Sequence, residues 1–209
     1  MEASRDPGCP GRALPVLDRR GFLASAGLYA GAGCVACALG PLARSAAGAS
    51  APGPEREIDY YEKRADGTVQ CKVCPLNCVL KDGETCFCRT RTNVQGRLYT
   101  SAYNNPCILQ VDAIEKLPLN HFRPGTKTLT IGVGGCNLRC IYCQNWEQSQ
   151  KGPTDGKTFA LTPGEAVAQA RKNGADTIAF SYTEPIAFLE YAKDVAAAAK
   201  KARLKVVVA

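Results

Sequence analysis

The chain has 209 residues, 45% of them hydrophobic and 22% charged, with a net charge of +7. Such a composition buries a real core and excludes a disordered or collagen-like chain, and the length leaves room for one medium domain beside a small one. Basic residues are dispersed, with no block of five and no interleaved aromatics, which excludes a nucleic-acid-binding stripe and leaves a mildly basic surface open to an anionic small ligand.

Residues 1–53 read as a leader and linker. DRRGFLA at 18–24 is a basic start, followed by a Gly/Ala-rich apolar stretch to Ala43 and by the small residues RSAAGASAPG. Basic region, apolar region and small residues suited to cleavage are the order of an export signal. The Arg19-Arg20 pair ahead of Gly21, Phe22 and Leu23 gives it twin-arginine character. The expected location is therefore outside the cytoplasm or tethered to the membrane, with a cytoplasmic protein as the alternative. A single membrane anchor ranks second, because a span of ~20 residues usually carries more Leu, Ile, Val and Phe. Cys34 is not assigned to lipidation, since Gly31 is a poor residue three positions before it, and Cys9, Cys34 and Cys37 are set aside.

Residues 54–126 form a Cys-rich module. Pro54 to Glu57 read as a linker, and QCKVCPLNCVLKDGETCFCRTR follows at 70–91 with Cys71, Cys74, Cys78, Cys86 and Cys88. Turns at Asp66-Gly67, Lys81-Asp82-Gly83 and Gln95-Gly96, without a long helical period, predict short strands and loops held by metal. Cys71, Cys74, Cys78 and Cys86 have C-x2-C-x3-C-x7-C spacing, and four thiolates close either a tetrahedral zinc site or an iron–sulfur cluster. Spacing leaves both open, together with one or two thiols being free and buried. Cys107 stands alone as a buried small residue.

Residues 127–209 change character. TKTLTIGV is a strand ending at Gly134-Gly135. TPGEAVAQARKN at 162–173 starts a helix with Thr162 as cap, Pro163 at the first position and Glu165 closing a capping box, and Gly174 ends it. DTIAFSY is a buried strand, IAFLEYAKDVAAAAKKAR a long amphipathic helix with basic residues in its last turn, and KVVVA a third strand. The alternation predicts an α/β fold with a parallel sheet, a barrel or a wound sheet. About three strands cannot close a barrel, and a chain ending within an apolar strand leaves an open edge, so the expectation is a truncated piece of a longer enzyme.

GGCNLRCIYCQNW at 134–146 places Cys136, Cys140 and Cys143 at C-x3-C-x2-C spacing, after the first strand of this α/β unit. A [4Fe–4S] cluster has four irons, and ferredoxins bind all four with cysteine. Three thiolates from one loop leave one iron open to a substrate or cofactor, at the strand end where barrel enzymes place their chemistry. A zinc site or structural cluster is the competing reading, but no fourth ligand lies near, and the single His, His121, is well upstream.

At these residues the sequence resembles the radical S-adenosylmethionine (SAM) superfamily, whose signature is this CxxxCxxC with an aromatic before the last cysteine, here Tyr142. DAIEKLPLNHFRPG at 112–125, the cysteine loop through Gln150, and SYTEP at 181–185 narrow the resemblance to the branch related to pyruvate formate-lyase activating enzymes. Within it, the chain is most similar to the radical enzyme of the AmmeMemoRadiSam system, from about Tyr60 to the end. The resemblance implies a partial (β/α) barrel and a [4Fe–4S] cluster on Cys136, Cys140 and Cys143. It implies SAM bound at the open iron and cleaved reductively, giving a 5′-deoxyadenosyl radical that abstracts hydrogen. Tyr142 would lie against the adenine and Glu184 would face the amino group of SAM, with loop packing and helix capping as their plainer roles. Gln144, Asn145 and His121 are weaker site candidates. Implied partners are SAM, an electron donor such as ferredoxin or flavodoxin, and a protein or small substrate. The four cysteines at 71, 74, 78 and 86 match the Cys-rich module of that branch, and Cys88 is an extra. An iron–sulfur electron-transfer protein and an inactive truncated remnant are the alternatives.

Overall fold

A computed structural model describes residues 56–209 of the chain, so the leader and Cys9, Cys34 and Cys37 lie outside the described residues. Short strands dominate the first half, as the turn-rich sequence predicts. Strand β1 (Arg56–Glu57), β2 (Tyr61–Lys63), β3 (Val69–Cys71), β4 (Val79–Leu80), β5 (Arg91–Val94) and β6 (Arg97–Thr100) build two small antiparallel sheets, ordered β1-β6-β5 and β2-β3-β4. The β5–β6 hairpin turns at Gln95-Gly96, both with positive φ (52° and 76°), the backbone that a two-residue hairpin loop requires. Val69 and Leu98 are fully buried beneath these sheets.

The linker expected at Pro54 to Glu57 is corrected in part. Arg56 and Glu57 pair with Thr100 and Tyr99, and Ile58 behind them is 3% exposed. Burying that isoleucine holds the segment in the sheet.

The second half is an α/β unit. Strands β7 (Ile108–Ala113), β8 (Lys127–Gly132), β9 (Thr177–Phe180) and β10 (Lys205–Val208) form one sheet ordered β10-β9-β8-β7. β8, β9 and β10 are parallel, and β7 is an antiparallel edge strand. β7 comes from the stretch expected to belong with the Cys-rich module; here it pairs along its whole length with β8. All four residues of β9 and the last five of β8 are buried, as befits strands covered on both faces.

Helix α1 (Trp146–Ser149) follows the cysteine loop, α2 (Pro163–Lys172) joins β8 to β9, and α3 (Leu189–Lys201) joins β9 to β10. The capping box of α2 is complete: Thr162 Oγ1 accepts from the Glu165 amide, and the Glu165 carboxylate accepts from the Thr162 amide at 2.7 Å. Gly174, at φ 66°, follows the helix end. A 3-10 turn (Pro185–Phe188) precedes α3, which buries Tyr191, Ala192, Val195 and Ala199. Tyr191 donates to the Leu161 carbonyl at 2.6 Å, so its buried hydroxyl is satisfied. Among the described residues no helix is long and apolar enough to cross a membrane.

In the parallel ladder Ile131 stands opposite Phe180. The loops leaving β8 and β9 therefore emerge together at one end of the sheet. The first is the cysteine loop and the second is SYTEP.

Replacing Thr162 by alanine removes one side of the capping box and should cost about 1 kcal/mol of stability. Urea unfolding of the parent and variant checks this; an unchanged midpoint would show that the cap contributes nothing here.

Candidate functional site

Cys136, Cys140, Cys143 and Glu184 line one cavity of about 250 Å³ at the carboxyl end of β8 and β9, together with Leu138, Asn145, Ser149, Ser181, Tyr182 and Thr183. Cys136 is buried, Cys143 half-buried and Cys140 exposed, and all three thiols are free. The Leu138 amide donates to Cys136 Sγ at 3.4 Å, and Ser149 Oγ lies 3.5 Å from Cys143 Sγ. Arg139 braces the loop by donating to the Cys136 carbonyl at 2.8 Å and the Phe87 carbonyl at 2.7 Å, with its guanidinium 4.0 Å over the Phe87 ring. Among the described residues, no three His, Cys, Asp or Glu side chains converge where a single ion would sit. Three cysteine thiols around one cavity are a donor set that suits three irons of a cluster, and with Glu184 they would also supply four ligands to a zinc ion.

Glu184 reaches this cavity because β9 ends beside β8. Thr183, 6% exposed, donates to the Val133 carbonyl at 2.7 Å and ties the SYTEP turn to the root of the cysteine loop. Glu184 precedes the 3-10 turn but makes no capping hydrogen bond with its side chain, so the capping role considered for it is not observed. Tyr182, two residues earlier, holds φ at 73°, a left-handed backbone that is costly for an aromatic residue and found preferentially at functional sites. Nothing in the local sequence signals that strain.

The other sequence candidates are placed less centrally. Tyr142 is 93% exposed and does not line the cavity, so the geometry lends no support to an adenine contact or to a loop-packing role. Asn145 lines the cavity, and Gln144 lines an adjoining one with Gln110, Asp112 and Lys116. His121 is exposed in the turn after β7.

In the Cys-rich module three thiols are buried together, two of them from the expected four. Cys86 lies beside both Cys71 and Cys88, near enough to shift their titration, and all three are buried. Cys74 and Cys78 are half-buried. The residue regarded as an extra, Cys88, is thus part of the buried group. The contact with Cys86 lowers Cys88 to about 5 and Cys71 to about 7, against the opposing effect of burial, with Arg91 also favouring both thiolates. Cys86, which supplies the proton, is pushed up.

This module presses directly on the cysteine loop. A Cβ at Gly135 would collide with the Cys88 carbonyl oxygen and stand 2.6 Å from Thr90 Cγ2. Gly135 also holds φ at 93°. A glycine is therefore needed there for two independent reasons.

Residues 130–209 match the family model of the Radical SAM superfamily. The matched segment starts within β8 and carries the cysteine loop, SYTEP and β10, so it includes every residue named above as lining the cavity of the three cysteines. The chain is also 41% identical over 146 residues to a protein of Methanocaldococcus jannaschii named "Uncharacterized protein MJ0808". That alignment covers 70% of this chain and 44% of the relative, so the chain spans less than half the length of the curated relative it matches. No solved structure matches the chain.

Two outcomes follow from this geometry. Gly135→Ala should destabilise the protein by about 2 kcal/mol or more through strain and overlap, read by urea unfolding. Parent-like stability would show that Cys88 and Thr90 do not press on the loop. The second outcome concerns pH. Cys71 and Cys88 hold their protons less tightly folded than unfolded, so their contribution is complete above the ordinary thiol value of 9.0 and is lost as pH falls through about 7 and about 5. The reduced, metal-free chain should therefore gain stability from pH 5 to 9, and Cys88→Ser should flatten that slope; an unaltered slope would count against a Cys88 thiolate.

Proposed function

We propose that the protein is a radical SAM enzyme that holds a [4Fe–4S] cluster on Cys136, Cys140 and Cys143 and binds SAM with the help of Glu184. The observation that carries this reading is the single cavity shared by three free thiols of one loop and the carboxylate of the next parallel strand's loop. When bound, the reduced cluster supplies the electron for cleavage of the sulfonium C–S bond, and the product of that cleavage serves hydrogen abstraction. The chain's own residues bind and orient. Three thiolates leave one coordination position for the cofactor, and the Glu184 carboxylate is an acceptor suited to an ammonium group. The buried Leu129, Ile131 and Phe180 belong to the core of the sheet from whose ends the two loops emerge.

The finer parts of the proposal rest on the sequence. They are membership of the branch related to pyruvate formate-lyase activating enzymes, part of a (β/α) barrel behind a Cys-rich module, and an external one-electron donor such as ferredoxin or flavodoxin. A protein substrate is proposed on the same basis, as is export or tethering through the twin-arginine leader, a route that carries folded, cofactor-loaded proteins.

The test is anaerobic reconstitution of the full chain with iron and sulfide, followed by reduction. About four irons per chain are expected. Addition of SAM should perturb the electron paramagnetic resonance signal of the reduced cluster, and 5′-deoxyadenosine should accumulate. Cys136→Ala should lose the cluster signal and the product together. A cluster-replete protein whose signal ignores SAM would overturn the assignment in favour of plain electron transfer.

A further inference from the structure

Arg91 is the largest fully buried side chain among the described residues, and none of the motifs above accounts for it. It opens strand β5 of the Cys-rich module. Its guanidinium forks between two parts of the fold. One terminal nitrogen donates to Glu190 Oε2 at 2.8 Å and to the Ile186 carbonyl at 3.1 Å. The other donates to Thr90 Oγ1 at 3.3 Å and points at Cys88 Sγ, 3.8 Å away. Thr90, also wholly buried, donates its hydroxyl proton to the Ala187 carbonyl at 2.7 Å. Ile186 and Ala187 lie in the 3-10 turn that begins at Pro185, immediately after Glu184, and Glu190 opens α3 behind it. The same short segment, 87–90, touches the other wall of the cavity. Phe87 accepts from Arg139, and Cys88 and Thr90 pack on Gly135.

A buried ion pair is a poor device for stability alone, because apolar residues of similar volume often do as well or better. Its use is to fix geometry. Here it fixes the turn bearing Glu184 relative to the loop bearing the three cysteines, through a segment belonging to neither. We infer that Arg91, with Thr90, is a positioning pair for the cofactor cavity, setting the place of Glu184 against the cysteine loop. This rests on the radical SAM reading of that cavity. It gives the Cys-rich module a task there that needs no metal of its own.

The experiment uses the full chain, reconstituted anaerobically, as parent, as the double variant Arg91→Met/Glu190→Met, and as Thr90→Val. The double variant removes both charges together, so neither is left buried alone; should it fail to fold, Thr90→Val carries the test, since it deletes one hydroxyl at nearly constant shape. Unfolding midpoint, iron and sulfide content, equilibrium-dialysis affinity for SAM, and amide hydrogen exchange over 181–188 are measured on each. The expected result is parent-like cluster content with affinity for SAM weakened about tenfold in the double variant and less in Thr90→Val. Faster exchange at 181–188 should accompany it. A folded, cluster-loaded variant with parental affinity would overturn the inference. Unaltered exchange at 181–188 would overturn it too, whatever the cavity binds. A parent that carries the cluster yet fails to bind SAM would defeat the functional reading itself, a failure visible before any variant is compared.

Discussion

In the parallel ladder between β8 and β9, Ile131 sits opposite Phe180. That register brings two loops distant in sequence to one end of the sheet. A slip of one residue would turn the side chains of β9 to the opposite face. Leu129, Ile131, Ile178 and Phe180 are each at most 1% exposed, so such a slip would disrupt a closed core. The cavity shared by the three cysteines and Glu184 is a consequence of this burial. No residue of the cavity has to be strongly attracted to another for it to form.

A parallel sheet alone would leave the two loops free to move apart beyond the strand ends. Two features restrict them. Within the α/β unit, the Thr183 hydroxyl is anchored on the Val133 carbonyl. From the Cys-rich module, the segment 87–91 is inserted against both loops, with the Arg91–Glu190 pair out of water at its centre. Removing one partner of such a pair leaves an uncompensated buried charge, typically a loss of about 3–5 kcal/mol. The half-exposed pair of Arg56 with Asp194 also joins the two regions but adds little by comparison.

How much of this the sequence disclosed depends on the range of the interaction. The capping box at Thr162 and Glu165, the strand over Lys127–Gly132 and the three-cysteine loop are local, and each is written in adjacent residues. Glu184 could be picked out because SYTEP resembles a motif, and its carboxylate does line the cavity. Strand Ile108–Ala113 escaped notice because it is half-exposed at a sheet edge and lacks a clean alternation of buried and exposed residues. The buried thiols of the Cys-rich module were only partly legible. Cysteine spacing singles out Cys71, Cys74, Cys78 and Cys86, and it does not show that Cys88 is buried beside Cys86 and Cys71. Arg91 with Glu190 was out of reach, since nothing near either residue names its partner.

The two walls of the cavity differ in how firmly they are built. The Glu184 wall is backed by Thr90, Arg91, Thr183 and Glu190, each almost wholly buried and each hydrogen-bonded. The thiol wall runs from buried Cys136 to exposed Cys140, with Ile141 and Tyr142 projecting into solvent. Few buried contacts and open backbone are the marks of a segment with low local stability. The carboxylate side is thus organised before anything binds, while the outer half of the cysteine loop has little besides its ligand to order it. A metal cluster bound to such a loop contributes to folding there as well as to chemistry. On the proposed function a division of labour follows: the fold would fix the carboxylate meant for the cofactor, and a bound cluster would complete the loop that holds it.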